Sequence, residues 1–347
     1  MQKRIYGKSV GEILKIKNDF FEHNDKMLEL SSRQADALLR QPERKHCKIC
    51  GEPISGEKLY TSQRMDYFLC KKCGHVNSRF EDTEDFADAV YISDNYEYNY
   101  SEADKAAYLN RMESIYIPKA KFLLETLSGW GMEKGDIKLL DDGAGSGYFV
   151  RACQELGIRA LGIEISRAQV EFANRMAETE ILRAVDSSET AGIIEKAEFN
   201  VLSGIGVFEH IINLDEILSA IQRNLNIRYV YISVPCFSMS CIFEAANQHC
   251  YNRHAGGTHT HLFSDRSLEF MADKMGFEVA RTWKFGSDMM DMYRMLCVSL
   301  DQNGNSALKD YFAPKFLNMI DDLQLVVDRN EFASEVHAIL RRRDDNR

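Results

Sequence analysis

Leu139-Leu140-Asp141-Asp142-Gly143-Ala144-Gly145-Ser146-Gly147-Tyr148-Phe149-Val150 decides how this 347-residue chain is read. Ile137 to Leu140 is an apolar run of the kind presented by a strand buried on both faces. Two acids and three alternating glycines follow, and an amphipathic helix is predicted from about Tyr148 to Leu156. Strand, glycine turn and helix in that order predict an α/β fold that binds a ligand beyond the strand's carboxyl end. Glycine at such a turn lets the backbone bend tightly and approach the ligand closely. The spacing is not the dinucleotide fingerprint G-x-G-x-x-G but [DE]-x-G-x-G-x-G.

A second mark lies downstream. The apolar segment Ala160 to Ser166 carries Glu164, 17 residues beyond Gly147. A carboxylate at the tip of a second strand is placed to bond both hydroxyls of a ribose. Glycine turn, helix and acid in this order resemble motif I and its successor strand in the class I S-adenosylmethionine-dependent methyltransferases. The resemblance implies a Rossmann-like α/β sheet of order 3-2-1-4-5-7-6 with its last strand antiparallel. It also implies S-adenosyl-L-methionine as cofactor. Asp141 would lie near its amino acid end, Gly143, Gly145, Gly147 and Tyr148 around it, and Glu164 on the ribose with Ile165 beside it. Asp142 stands where the family usually has an apolar residue.

Further strands are predicted at Ile181 to Val185, Phe199 to Gly204 and Arg228 to Val234. The resemblance places Asp186, after the third strand, at the adenine amino group. It places Gly204, Ile205 and the residues to Val207 around the methyl-bearing sulfur. Glu209-His210, just past the fourth strand, is similar to the "LEH" signature of small-molecule methyltransferases. His261-Leu262-Phe263-Ser264 through Gly276-Phe277-Glu278-Val279 is similar to their "H-hydrophobic-F-S…L…GF-x-V" tail. Related sugar C-methyltransferases, which also carry an N-terminal four-cysteine zinc domain, have a His-Glu-His triplet here. This chain has His259-Thr260-His261, so the family's glutamate is missing and O-methylation is favoured over C-methylation.

Methyl transfer from a sulfonium is a displacement whose rate depends on holding the acceptor in line with the sulfur–methyl bond. A hydroxyl acceptor must also lose its proton, and histidine suits that task near neutrality. His261 is the first candidate base, His259 the second and His210 the third, with Glu209 as orienting partner or carboxylate base.

Upstream, Cys47-x-x-Cys50-Gly51 and Cys70-x-x-Cys73-Gly74 are separated by 19 residues. Paired knuckles aiming four thiolates at one ion give the pattern of a zinc ribbon, with short strands between Lys58 and Phe68. Four thiolates leave no open position, so the expected Zn2+ is structural rather than catalytic. The chain then divides into a helical arm (1–44), the ribbon (45–90) and a methyltransferase domain (91–347). In the arm, apolar residues at helical spacing predict one or two helices over Lys8 to Arg40. Tyr91 to Tyr100 is rich in tyrosine, suiting either a carbohydrate or adenine platform or a packed junction. Past the fifth strand, Cys236 to Thr260 reads as a loop-rich insert. Helices are predicted at Lys105 to Ser128, Arg167 to Ala177, Asp265 to Met275, Ser287 to Leu300 and Leu308 to Val327. A last strand runs over Glu335 to Leu340, and Arg341 to Arg343 reads as a solvated end.

A formal net charge of −10 disfavours a nucleic-acid partner. No apolar run reaches the ~18 residues of a membrane span. Nine cysteines, five of them scattered among apolar neighbours, fit a reducing compartment, with the cytoplasm as default. Three functions compete. The first is methylation of a sugar, a nucleotide-linked sugar or a related small surface-polysaccharide precursor. The second is methylation of RNA or protein recognised by the ribbon, and the third a non-catalytic cofactor-binding scaffold. The sequence leaves open whether the chain assembles into a homo-oligomer.

Overall fold

The structure is a computed structural model and describes residues 3–11, 23–91, 104–251, 254–255 and 259–343. The middle of the predicted N-terminal helix (12–22) and the tyrosine-rich stretch beyond Tyr91 lie outside the described residues.

Five parallel strands are built from the apolar runs read in the sequence. They are β5 (Lys138–Asp142), β6 (Arg159–Glu164), β7 (Leu182–Ala184), β8 (Val201–Ile205) and β9 (Tyr229–Pro235). The antiparallel pair β11 (Phe277–Phe285) and β12 (Glu335–Arg342) completes the expected order, read from β7 as β7-β6-β5-β8-β9-β12-β11. An eighth strand was not foreseen. β1 (Arg4–Tyr6) runs parallel to β11 at the sheet's edge, pairing Ile5 with Trp283. A three-residue edge strand leaves no apolar run to read, which is why only the helical periodicity after Lys8 was visible.

One face of the sheet is covered by α3 (Lys105–Arg111), a π-turn at Met112–Tyr116, α4 (Ile117–Gly129) and α5 (Tyr148–Glu155). Tyr108, Leu123, Leu127 and Phe149 pack there against Leu139, Val201 and Ile339. The opposite face is covered by α7 (Thr190–Lys196), α8 (Leu214–Arg223) and α10 (Asp265–Met275). Its apolar cluster runs from Leu140, Leu202 and Val230 through Phe263 to the ribbon cysteines, so ribbon and sheet share one core. Helix α6 (Arg167–Ala177) follows β6.

The ribbon is a sheet of β2 (Tyr60–Ser62), β3 (Met65–Leu69) and β4 (Val76–Ser78), joined at its open edge by β10 (His261–Leu262). His261 therefore belongs to a strand of the ribbon, paired with Asn77, although it lies far downstream in the chain. Helices α1 (Asn24–Leu38) and α2 (Glu84–Tyr91) pack against each other and share an apolar cluster with Met65, Tyr67 and Val76 of the ribbon.

The insert after β9 is partly helical: α9 (Met239–Ala246) starts at Ser238, whose side chain accepts from the Ser240 amide. Beyond α11 (Asp288–Gln302), the single predicted helix is two, α12 (Ser306–Leu317) and α13 (Ile320–Arg329). In the basic end Arg341 and Arg343 are exposed, as expected of a solvated terminus, but Arg342 is not. Arg342 donates to the carbonyls of Ile221, Gln222, Asn224 and Ile227, where α8 ends and its last carbonyls lack intrahelical partners. Among the described residues no helix is long and apolar enough to cross a membrane.

Candidate active site

The glycine turn joins β5 to α5 at the carboxyl edge of the sheet. Gly147 adopts φ +73° at the N-cap of α5, and a Cβ there would lie 2.9 Å from the Ala173 Cβ. A non-glycine residue would meet both the left-handed penalty and a clash with α6. At Gly143 an added Cβ would fall 2.8 Å from Val207, so the loop past β8 lies directly against the turn. That contact brings the segment carrying Glu209 and His210 beside the turn.

Glu164 is buried at the end of β6, and both its oxygens are organised by the backbone. Gly145 N–H donates to Oε2 at 2.8 Å and Ser166 N–H to Oε1 at 2.9 Å. Ile165, next to it, is 60% exposed, an unusual state for isoleucine and one that gives the carboxylate an apolar neighbour. Tyr148 is buried in a stack of rings, 4.4 Å from Tyr108 and 5.2 Å from Tyr116. It thereby anchors α3 and the π-turn over the start of α5. Asp186 caps the short helical turn Ser187–Glu189 in a reciprocal capping box with Glu189. Gly204 backs onto the Phe208 ring, 2.6 Å from where its Cβ would be, and Ile205 ends β8 half-buried.

Asp141 and Asp142 are both buried. Ser203 Oγ donates to Asp141 at 2.6 Å. Burial pushes each carboxyl up to about 7; for Asp141 the Ser203 hydrogen bond opposes this and Asp142 adds to it, while Glu164 adds to it for both. Their unfolded values lie near 4, so from pH ~4 to ~7 the folded state holds protons that the unfolded state releases. Their contribution to stability is therefore present below pH ~4 and is lost as the pH rises to ~7. Asp142→Asn should raise Tm relative to wild type, with a gap that widens between pH 5 and pH 8. Thermal melts across that range check it, and a constant gap would contradict the assignment.

Beyond β8, Glu209, His210 and His259 bring one donor atom each to within 4.8 Å of one another. The His210 and His259 rings lie 5.2 Å apart. His259 Nδ1 donates to the His254 carbonyl at 2.7 Å, which fixes the tautomer and leaves the lone pair on Nε2. Glu209 is buried, and burial lifts its carboxyl to about 8. His261 is not in this group. Its Nδ1 meets His75 Nε2 at 2.9 Å. Ser267 gives its proton to Ser264 O, so His75 Nδ1 donates to Ser267 and His261 Nδ1 donates to His75. Its Nε2 is buried without a partner, and burial, with Lys48, His75 and Arg44 nearby, holds the ring well below the usual imidazole range.

The ribbon segment forms a wall beside Glu209 and His210. Asp82 and Phe86, in the part of the ribbon segment that follows β4, line a void of about 10 Å3 together with Glu209, His210 and Thr260. Asp82 is held by Arg44 and by Lys48 from inside the first C-x-x-C knuckle, all with side chains under 10% exposed. The four cysteine sulfurs form one cluster, with Cys47–Cys73 and Cys50–Cys70 each 3.5 Å apart. Four ligands ~2.3 Å from one ion would stand ~3.8 Å apart, so the set fits a tetrahedral metal. The knuckle amides of Gly51 and Gly74 donate to Cys47 O and Cys70 O, giving both halves the same turn.

Sequence reasoning missed Ser203, Asp82 and His75, and a buried chain at the start of β12. There Tyr231 O–H donates to His337 Nδ1 at 2.8 Å, and His337 Nε2–H donates to Glu335 at 2.7 Å. Lys119 stands 3.5 Å from the same carboxylate. Only His75, directly after the second knuckle glycine, had a local signal.

The strand order, the glycine turn on the first strand and the acid on the second define a class I methyltransferase fold. Residues 108–282, half of the chain, match the family described as methyltransferase domain. The chain belongs to that family and is a methyltransferase. Among solved structures it is similar to a SAM-dependent methyltransferase from Archaeoglobus fulgidus, at 17% identity, 64% of this chain, 94% of that one and a TM-score of 0.41. Magnesium protoporphyrin IX methyltransferase from Synechocystis PCC 6803, solved with bound SAH, gives 11% identity, 73% and 97% coverage and a TM-score of 0.44. Phosphoethanolamine N-methyltransferase 2 from Haemonchus contortus, in complex with S-adenosyl-L-methionine, gives 17%, 75% and 60%, and 0.42. No curated protein matches the chain. The acceptors in those names belong to those proteins.

Proposed function

We propose that the chain transfers a methyl group from S-adenosyl-L-methionine to a hydroxyl of a sugar, nucleotide-linked sugar or similar small polysaccharide precursor. The cofactor lies on the glycine turn, its ribose on Glu164 with Ile165 beside it, and its amino acid end toward Asp141. Asp186 and Tyr148 frame the site, and Gly204 and Ile205 flank the sulfur. Zn2+ in the four-cysteine site is structural, and the enzyme works in the cytoplasm.

The observation that carries this reading is the Glu209–His210–His259 cluster, in which Glu209 and His210 lie on the loop that touches the glycine turn and His259 comes from the segment before β10. In the reaction the sulfur–methyl bond breaks and leaves its electron pair on sulfur. The acceptor oxygen forms the new bond to carbon, and its proton passes to the cluster. His210 and His259 lie closer to that task than His261, which sits behind them in the ribbon sheet. His210→Ala and His259→Ala should each lower kcat by roughly 10²–10⁴-fold, the range of general-base assistance. The affinity for S-adenosylhomocysteine should be unchanged. A panel of nucleotide sugars assayed by mass spectrometry checks it; wild-type turnover in both variants would remove the cluster from the chemistry.

A further inference from the structure

We propose that Glu209, His210 and His259 hold a divalent first-row transition-metal ion, distinct from the metal of the four-cysteine site. This deepens the reading of the cluster as the acceptor wall and rests on it. Donor atoms of the three residues converge within 4.8 Å. Glu209 and His210 also line, with Thr260, Asp82 and Phe86, a void of about 10 Å3. Two of the side chains lining it are buried with an orphaned oxygen. Glu209 is 4% exposed and its Oε2 has no hydrogen-bond partner; Thr260 is 1% exposed and its Oγ1 has none. Buried polar atoms without partners are rare and point to a missing ligand. A space of about 10 Å3 is on the scale of a single water or ion.

The chemistry of the donors selects between those two. His259 donates its Nδ1 proton to the His254 carbonyl. That second bond is the one metal-bound histidines habitually make, because it orients the ring and raises its basicity. Two imidazoles and one carboxylate suit Mn2+, Fe2+, Co2+ or Zn2+ rather than Ca2+ or Mg2+, and leave open positions on the ion. Ligands ~2.1 Å from an ion stand ~3–3.5 Å apart, so the widest separation closes by up to roughly 1.3–1.8 Å on binding. The neighbouring Asp82 is already matched by Arg44 and Lys48, which leaves Glu209 as the carboxylate the ion would meet. An ion there would polarise the acceptor hydroxyl and ease loss of its proton.

The test uses the full chain with one zinc per molecule, verified by elemental analysis, titrated with Mn2+, which thiolates disfavour. Uptake is followed by loss of the free-ion EPR signal. One Mn2+ per chain should be taken up, at least tenfold more weakly by Glu209→Gln and His259→Ala. Both variants should keep the wild-type Tm shift with S-adenosylhomocysteine. Should a variant fail to fold, pulsed EPR of the wild-type protein decides, because imidazole ligands couple their nitrogens to the bound ion. No uptake, uptake indifferent to both substitutions, or a bound-ion spectrum without nitrogen couplings overturns the proposal. Loss of turnover in His259→Ala without Mn2+ uptake by wild type would overturn the ion and leave the histidine base standing. Uptake without methylation of any sugar would support the ion and overturn the sugar acceptor.

Discussion

Stripping the four-cysteine site with a chelator, or replacing Cys70 by serine, should abolish methyl transfer while leaving cofactor binding nearly intact. Structural zinc in small domains contributes apparent binding energies of ~10–16 kcal/mol, more than a three-stranded ribbon can supply for itself. Loss of the metal should therefore unfold β2 to β4. The damage would not stop there. β10 is a strand of that sheet, and Asp82 and Phe86 wall the void beside Glu209 and His210. The glycine turn and Glu164 are built on β5, β6 and α5, none of which pairs with a ribbon strand. Calorimetry with S-adenosylhomocysteine and limited proteolysis before and after chelation provide the measurement. Full activity in a metal-free protein would refute it.

Glu164→Ala should weaken S-adenosylmethionine binding by two to three orders of magnitude or more. Hydrogen bonds to a charged group contribute ~1.5–3 kcal/mol each, and two ribose hydroxyls would be lost together at ~1.4 kcal/mol per decade. Glu164→Gln should do little better. The Gly145 and Ser166 amides donate to different oxygens of the carboxylate, so an amide NH2 would face one of these donors. Isothermal titration of both variants checks this, and a Gln variant with wild-type affinity would mean the carboxylate does not hold the ribose.

The sheet was legible because strands buried on both faces must be apolar throughout, and Leu139–Leu140 or Val230 to Val234 need no context to be recognised. The glycine turn was legible because backbone geometry and steric contact demand it locally. What escaped depends on partners distant in the chain. Arg4–Tyr6 is a strand only because β11 offers an edge. The run at His261 stands out in the sequence, but its place in the ribbon sheet is set by pairing with Asn77. The break between Leu317 and Ile320 falls inside a continuous helical pattern. Arg342 looked like any terminal arginine until the end of α8 was put beside it. The four cysteines were legible as a set because each C-x-x-C pair is local in the sequence. The orphaned oxygens of Glu209 and Thr260 were not, because orphanhood is a property of packing.

The strand exchange at β10 has a consequence for how the protein is made. As the chain is synthesised, Cys73 and β4 emerge long before His261, and the four thiolates can capture their ion as soon as the second knuckle appears. The three-stranded ribbon then waits with the amide edge of β4 unpaired until nearly two hundred more residues have been added. Such an edge invites pairing with other chains, and closing so long a loop is slow. Fragments ending before β10 should thus bind zinc yet aggregate, and β10 acts as the ribbon's late-arriving cap.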